Sequence, residues 1–135
     1  MSGEHDLNRL LAGMSPLLDP ETYVFVTVAD RAVPVDLNPL MMMQEAEGTT
    51  LILPRDTAVA HGLEHQFACR RITLNVHSAL DAVGFLAKVG TRLAALGMGV
   101  NPVAGYFHDH LFIPDDRAEV AMRALHEMTA QARSH

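Results

Sequence analysis

Three metal-ligating groups stand in one run, His108-Asp109-His110, and His77 could add a fourth from the end of another candidate strand. Imidazole and carboxylate suit zinc or iron, so these four residues would make the metal site of an enzyme if they converged. Convergence is the difficulty: His108 and His110 share a face only if strand alternation runs through 108–110, where a turn is expected. His61 and His65 have the spacing of a helical metal pair, but Gly62 between them ends a helix, and no Glu follows His61 as a hydrolase motif requires. Met41-Met42-Met43 could suit a soft metal. Successive strand residues alternate faces, however, and packing of a sheet face or an interface accounts for them better. Cys69, Ser78 and His77 form no recognisable nucleophile arrangement. Neither a Gly-x-Ser-x-Gly elbow nor a Gly-rich phosphate loop is present. The expectation is a non-catalytic chain with no resident metal or cofactor.

A different chemistry is available at Ser78–Leu86. A helix N-terminus presents unpaired N–H groups and partial positive charge, which suits a carboxylate. Gly84, without a Cβ, lets a ligand or a partner backbone come close. Asp81 could pair an ammonium, and Asn101 could take both ends of a hydrogen-bonded group. Each also has a purely structural reading. Asp81 could complete a capping box with Ser78, Gly84 could let helix and sheet touch, and Asn101 could be a turn residue at a strand start.

The elements that must position these residues follow from period. Ile72, Leu74 and Val76 alternate with polar residues, as in a half-buried strand. From Asp81 to Leu96, Ala82, Leu86, Val89, Leu93 and Leu96 recur at helical spacing, with Gly97 as the stop. Val100–Phe107 and His110–Ile113 then form an antiparallel pair across a turn at His108-Asp109. Asp116 with Glu119 opens a last helix through Met128. Upstream, Asp6–Met14 is a short amphipathic helix ended by Ser15-Pro16, and Tyr23–Val28 is a strand. Residues 30–39, broken by Pro34 and Pro39, are a loop. Leu40–Gln44 and Thr49–Leu53 make a hairpin, Pro54–His61 a short helix, and His65–Arg70 an extended run.

This order predicts an α+β fold of two packed, ferredoxin-like βαββα-type units with antiparallel sheets, the first lacking its first helix. The division falls near residue 70, giving units 1–69 and 70–135. The second unit ends after a helix without a usual fourth strand, and the extended run His65–Val76 is available to both halves.

Ten Lys plus Arg against sixteen Asp plus Glu give a net charge of −6, with the basic residues scattered singly apart from Arg70-Arg71. Nucleic-acid binding needs clustered positive charge and is not expected. No run approaches the ~18 apolar residues of a membrane span, and Met1–Met14 lacks a signal peptide's apolar centre. A cytoplasmic location is expected, and lone Cys69 in a strand reads as a small buried apolar group.

Leu80–Ile113 resembles an ACT domain, the small regulatory fold that binds amino acids and related effectors in many metabolic enzymes. Asp81, Ala82, Val83, Gly84, Phe85 and Leu86 stand at the family's Asp-x-Pro-Gly-x-Leu-like loop. Val83 takes the place of the frequent proline. Leu93 and Gly97 stand at the helix end, and Asn101 at the second strand. Tyr23–Val28, the Glu47-Gly48 hairpin, Ile72–Ser78 and Gly105–Phe112 are similar to recurrent segments of stand-alone, uncharacterised bacterial proteins built from two ACT-like units. The resemblance implies a non-catalytic regulatory module that binds a small-molecule effector, an amino acid, and forms a homodimer. The ligand residues it implies are Ser78, Asp81, Val83, Gly84, Phe85, Leu86 and Asn101. A protein-interaction scaffold using the same sheets, without a ligand, is the alternative.

Overall fold

The computed structural model describes residues 2–29 and 33–134, so Asp30, Arg31 and Ala32 of the expected 30–39 loop lie outside the described residues. In chain order the elements are α1 (Leu7–Gly13), β1 (Leu17–Val28), β2 (Met41–Gln44), β3 (Thr49–Pro54), α2 (Arg55–Ala60), β4 (Gln66–Thr73), α3 (Phe85–Ala94), β5 (Asn101–Ala104), β6 (Asp109–Pro114) and α4 (Ala118–Arg133). A single 3₁₀ turn, Asp115–Arg117, precedes α4. Contacts along the chain define two compact units: Glu21–Cys69, and Met1–Pro20 together with Arg70–His135. The first twenty residues pack with 70–135: Leu10, Leu11 and Met14 are buried in the core of that unit. β1 and β4 are each divided between the units.

In the Glu21–Cys69 unit the strand order is β2-β3-β1-β4. β1 and β3 pair antiparallel with Val24 opposite Leu53 and Val26 opposite Leu51. These four share one face of the pleat and are buried with Leu37 and with Ala58 of α2. β2 and β3 form the expected hairpin, closed by Glu45 N–H donating to Gly48 O at 2.9 Å. Among the described residues no helix separates β1 from β2, as the prolines there dictate. Cys69 is buried, and its thiol donates to Tyr23 O at 3.4 Å.

In the other unit the order is β1-β4-β6-β5. The first residues of β1 thus supply the strand that the sequence of 70–135 lacks, and Asp19 ties them to β4. Its carbonyl accepts from Arg70 Nε at 2.8 Å, and its carboxylate pairs with Arg71 at 2.9 Å. Ile72, Leu74, Leu111 and Ile113 are buried against Phe85, Val89 and Leu93 of α3 and Ala121 and Leu125 of α4.

Four local expectations are corrected here. The strand expected through Val76 ends at Thr73, because Asn75 takes a left-handed φ of 51°. α3 begins at Phe85 and not at Asp81, and the Ser78–Asp81 capping box does not form, since Gly84 at φ 91° is its N-cap. The second hairpin turns at Gly105–His108, closed by Gly105 N–H donating to His108 O at 2.8 Å. Asp109 opens β6. Finally, α4 has Arg117 at its N-cap with no side-chain cap, and it runs past Met128 to Arg133. Tertiary contacts sustain the extra turn: Thr129 Oγ1 donates to Met14 O at 3.2 Å and Arg133 Nε to Ala12 O at 2.8 Å.

Candidate functional site

The corner between β4 and α3 is shaped by where its side chains are drawn. Ser78 is buried in the loop, where its hydroxyl bonds the Asp109 carboxyl and donates to Ala79 O at 3.3 Å. Burial pushes the Asp109 pKa up, and the Ser78 hydrogen bond and nearby His108 offset this in part. Leu74 N–H donates to Asp109 O at 3.0 Å, fixing the start of β6 beside the corner.

Gly84 is what makes the helix end available. Its φ of 91° is a conformation that costs a residue with a Cβ about 1–2 kcal/mol. With no side chain it also leaves the first-turn N–H groups of α3 without a side-chain cap. Phe85 turns its ring into the core, so only its backbone faces the corner; Leu86 is half-buried, and Val83 is 84% exposed.

The chain's own beginning lies across this loop. Glu4 N–H donates to His77 O at 2.8 Å and Ala79 N–H to Glu4 O at 3.0 Å, a parallel bridge. Gly3 permits the approach, since a Cβ there would stand 2.6 Å from Ala79 N. His5 Nε2 meets Asp81 Oδ1 at 2.7 Å, with both side chains more than half exposed at 52% and 59%. Glu4 accepts from the backbone N–H groups of Asp6 and His5, which lowers its carboxyl pKa. The β5–β6 turn stands on the other side: Phe107 packs on His77 at 5.6 Å between ring centroids and on Tyr106 at 4.9 Å. Tyr106 and Phe107 are 63% and 60% exposed.

Of the residues the sequence singles out, Ser78, Asp81, Val83, Gly84, Phe85 and Leu86 share this corner. Asn101 does not. It pairs with Phe112, three residues along β5 from Ala104, whose partner is Asp109; that is ~10 Å from the corner at strand rise. His5, Tyr106 and Phe107 were not anticipated. Two adjacent aromatics in a turn were a usable signal, because turn positions are solvent-facing. Nothing in the polar N-terminal tail marked it as a strap.

The histidine run does not converge. Asp109 is buried toward Ser78, whereas His110 Nδ1 bonds Thr73 Oγ1 at 2.9 Å on the opposite sheet face. Among the described residues no three His, Cys, Asp or Glu side chains gather to hold an ion. His61 bonds Thr57 O at 3.0 Å and faces Asp36, and its pKa is raised by those two contacts in that order.

Residues 2–70 match a family model described as an ACT domain, and residues 66–127 match a second one of the same description. The chain belongs to the ACT-domain family. Its two ACT matches stand in tandem on ferredoxin-like α+β architecture. Among solved structures, this ACT protein is similar to a Vibrio cholerae protein of unknown function, described as a possible transport protein. The two are 41% identical over 91% of this chain and 95% of that one, with a TM-score of 0.83. It is also similar in fold to an Agrobacterium tumefaciens protein, at 14% identity over 86% and 89% of the two chains, TM-score 0.74. The regulatory subunit of aspartate kinase from Thermus flavus shares the fold at 14% identity over 85% and 97%, TM-score 0.65. No curated protein matches. Among the described residues no helix is long and apolar enough to cross a membrane.

Proposed function

We propose that this ACT protein is a non-catalytic cytoplasmic sensor that binds an amino acid at the β4–α3 corner and acts as a homodimer. The observation that carries the reading is the α3 N-terminus at Gly84, where no side chain caps the first turn. In this reading the effector's α-carboxylate takes the N–H groups of Phe85, Leu86 and Ala87. Its α-ammonium takes Asp81, displacing His5 at little cost, because an exposed ion pair is worth only ~0–1 kcal/mol. Val83 and Leu86 offer apolar contact beside the loop. Asn101, at the far end of β5, reaches the effector only from a second copy, which gives a dimer a reason. For the family units the linear boundary near residue 70 is retained, with 1–69 and 70–135 as the ACT pair. A ligand that binds one arrangement of two copies better than another shifts their populations, by no more than its differential affinity.

A thermal-shift panel of amino acids tests this. At ~100 times its dissociation constant a specific effector adds ~2.7 kcal/mol of stability. A flat response across the panel from folded protein contradicts the reading.

The second reading is a protein-interaction scaffold, favoured by the edge strand β2, where Met42 and Met43 are 55% and 56% exposed. Such an edge invites pairing with another chain. Loss of self-association on Met42→Asp, with no effector response in the wild type, favours the scaffold over the sensor.

A further inference from the structure

The Glu21–Cys69 unit has a cleft of its own, with a volume of about 720 Å³, within the ~300–1,000 Å³ of small-molecule sites. All of its lining residues lie inside that unit, among them Phe25, Thr27, Thr50, Leu63, Glu64 and His65. We propose that this cleft binds a small organic cation: a primary amine on a flat apolar body, without a carboxylate.

The apolar part of the wall is Phe25, held edge-on by Phe67 at 5.8 Å between centroids and 61° between planes. Phe67 has a left-handed φ of 59°, an outlier for a bulky residue. Such strain persists where the surroundings over-determine it, and it gathers at ligand sites. An aromatic face attracts an ammonium electrostatically and also accepts a flat body by edge or offset contact.

The polar part is rich in acceptors. His65 Nδ1 donates to Leu63 O at 3.1 Å, which leaves Nε2 as the acceptor of the neutral ring. Thr50, which lines the cleft, donates its hydroxyl proton to the Glu45 carboxylate, so its oxygen is left with acceptor capacity only. Glu64 adds an exposed carboxylate, and the lining residues include no Lys or Arg. A ligand carboxylate entering here meets Glu64 with no lining Lys or Arg to oppose it. An ammonium meets two or three acceptors and a full charge. The chain's net charge of −6 favours the approach of cations over anions in general. The β4–α3 corner differs in having the uncapped N–H groups of a helix start beside its carboxylate.

Titrations of ¹⁵N-labelled protein with 2-phenylethylamine, phenylacetate and phenylalanine test the assignment, because the three share one ring and differ in charge. The amine shifts the amide resonances of Thr27, Thr50 and Leu63–Gln66, phenylacetate leaves them in place, and phenylalanine binds there at least about tenfold more weakly. Glu64→Gln, an exposed substitution that leaves the fold intact, weakens the amine about tenfold, the loss of one charge-assisted bond. Phe25→Leu weakens it independently of charge. Unmoved resonances at millimolar amine, equal binding of phenylacetate, or undiminished binding by Glu64→Gln overturns the proposal. Resonances of Phe85–Ala87 report the corner separately, so failure of one site is distinguishable from failure of the other.

Discussion

Gly84 and Gly3 are needed for different physical reasons, and substitution separates them. At Gly84 an added Cβ would meet only Leu7 Cδ2 at 3.9 Å, an ordinary contact, so the cost of Gly84→Ala is the left-handed backbone alone. Urea denaturation should show a loss of about 1–2 kcal/mol; an unchanged midpoint would mean that the chain leaves this conformation freely. His110 makes a pH prediction. Burial first, then Arg71 and His108, lowers its pKa below the ordinary 6.5. The unfolded chain therefore binds this proton before the folded one. Stability from the neutral ring is present above pH 6.5 and is lost as pH falls through the lowered value. Denaturation midpoints taken downward from pH 7 should fall less steeply in His110→Gln than in the wild type; parallel slopes would contradict this assignment. Asp109, whose pKa burial raises, acts in the opposite direction at lower pH, since its folded state binds the proton first. At this scale Gly84 was legible as a loop glycine, but the jobs of its neighbours were not. Ser78 and Asp81 have capping-box spacing, yet Ser78 is taken by Asp109 and Asp81 by His5, both distant in sequence.

Elements with strong period were readable from sequence, and their ends were not, because tertiary partners decide the ends. The apolar stripe of α3 put Val89 and Leu93 in the core as expected, while its first turn moved to Gly84. α4 gained a turn from Thr129 and Arg133, whose partners Met14 and Ala12 no local rule could supply. The N-terminal strap was invisible for the same reason: two backbone hydrogen bonds hold it, and side-chain patterns do not encode those. Gly3→Val tests it. Its Cβ would stand 2.6–2.8 Å from backbone atoms of Ala79 and Ser78, so the strap must lift. Hydrogen exchange at Ala79, whose N–H donates to Glu4 O, should speed up while amides of α4 keep their protection. Equal protection at Ala79 would show that the strap does not depend on this close approach.

For the molecule as a whole, the tandem of ferredoxin-like units was legible because the order of periods repeats. The use of β1 was hidden. Leu17–Pro20 contains a proline and an acid and lacks alternation, yet it supplies the strand beside β4 in the unit that 70–135 could not complete alone. The cleft of the Glu21–Cys69 unit was hidden too, since period does not report which side chains line it. The central claim rests on the corner at Gly84, and amide mapping of the amino acid that scores in the thermal-shift panel tests it most directly. The account predicts the largest shifts at Phe85, Leu86 and Ala87, with affinity reduced by Asp81→Ala about tenfold, the loss of one charge-assisted bond. Saturating effector that leaves these three resonances unmoved, or binds Asp81→Ala as tightly as the wild type, would contradict it.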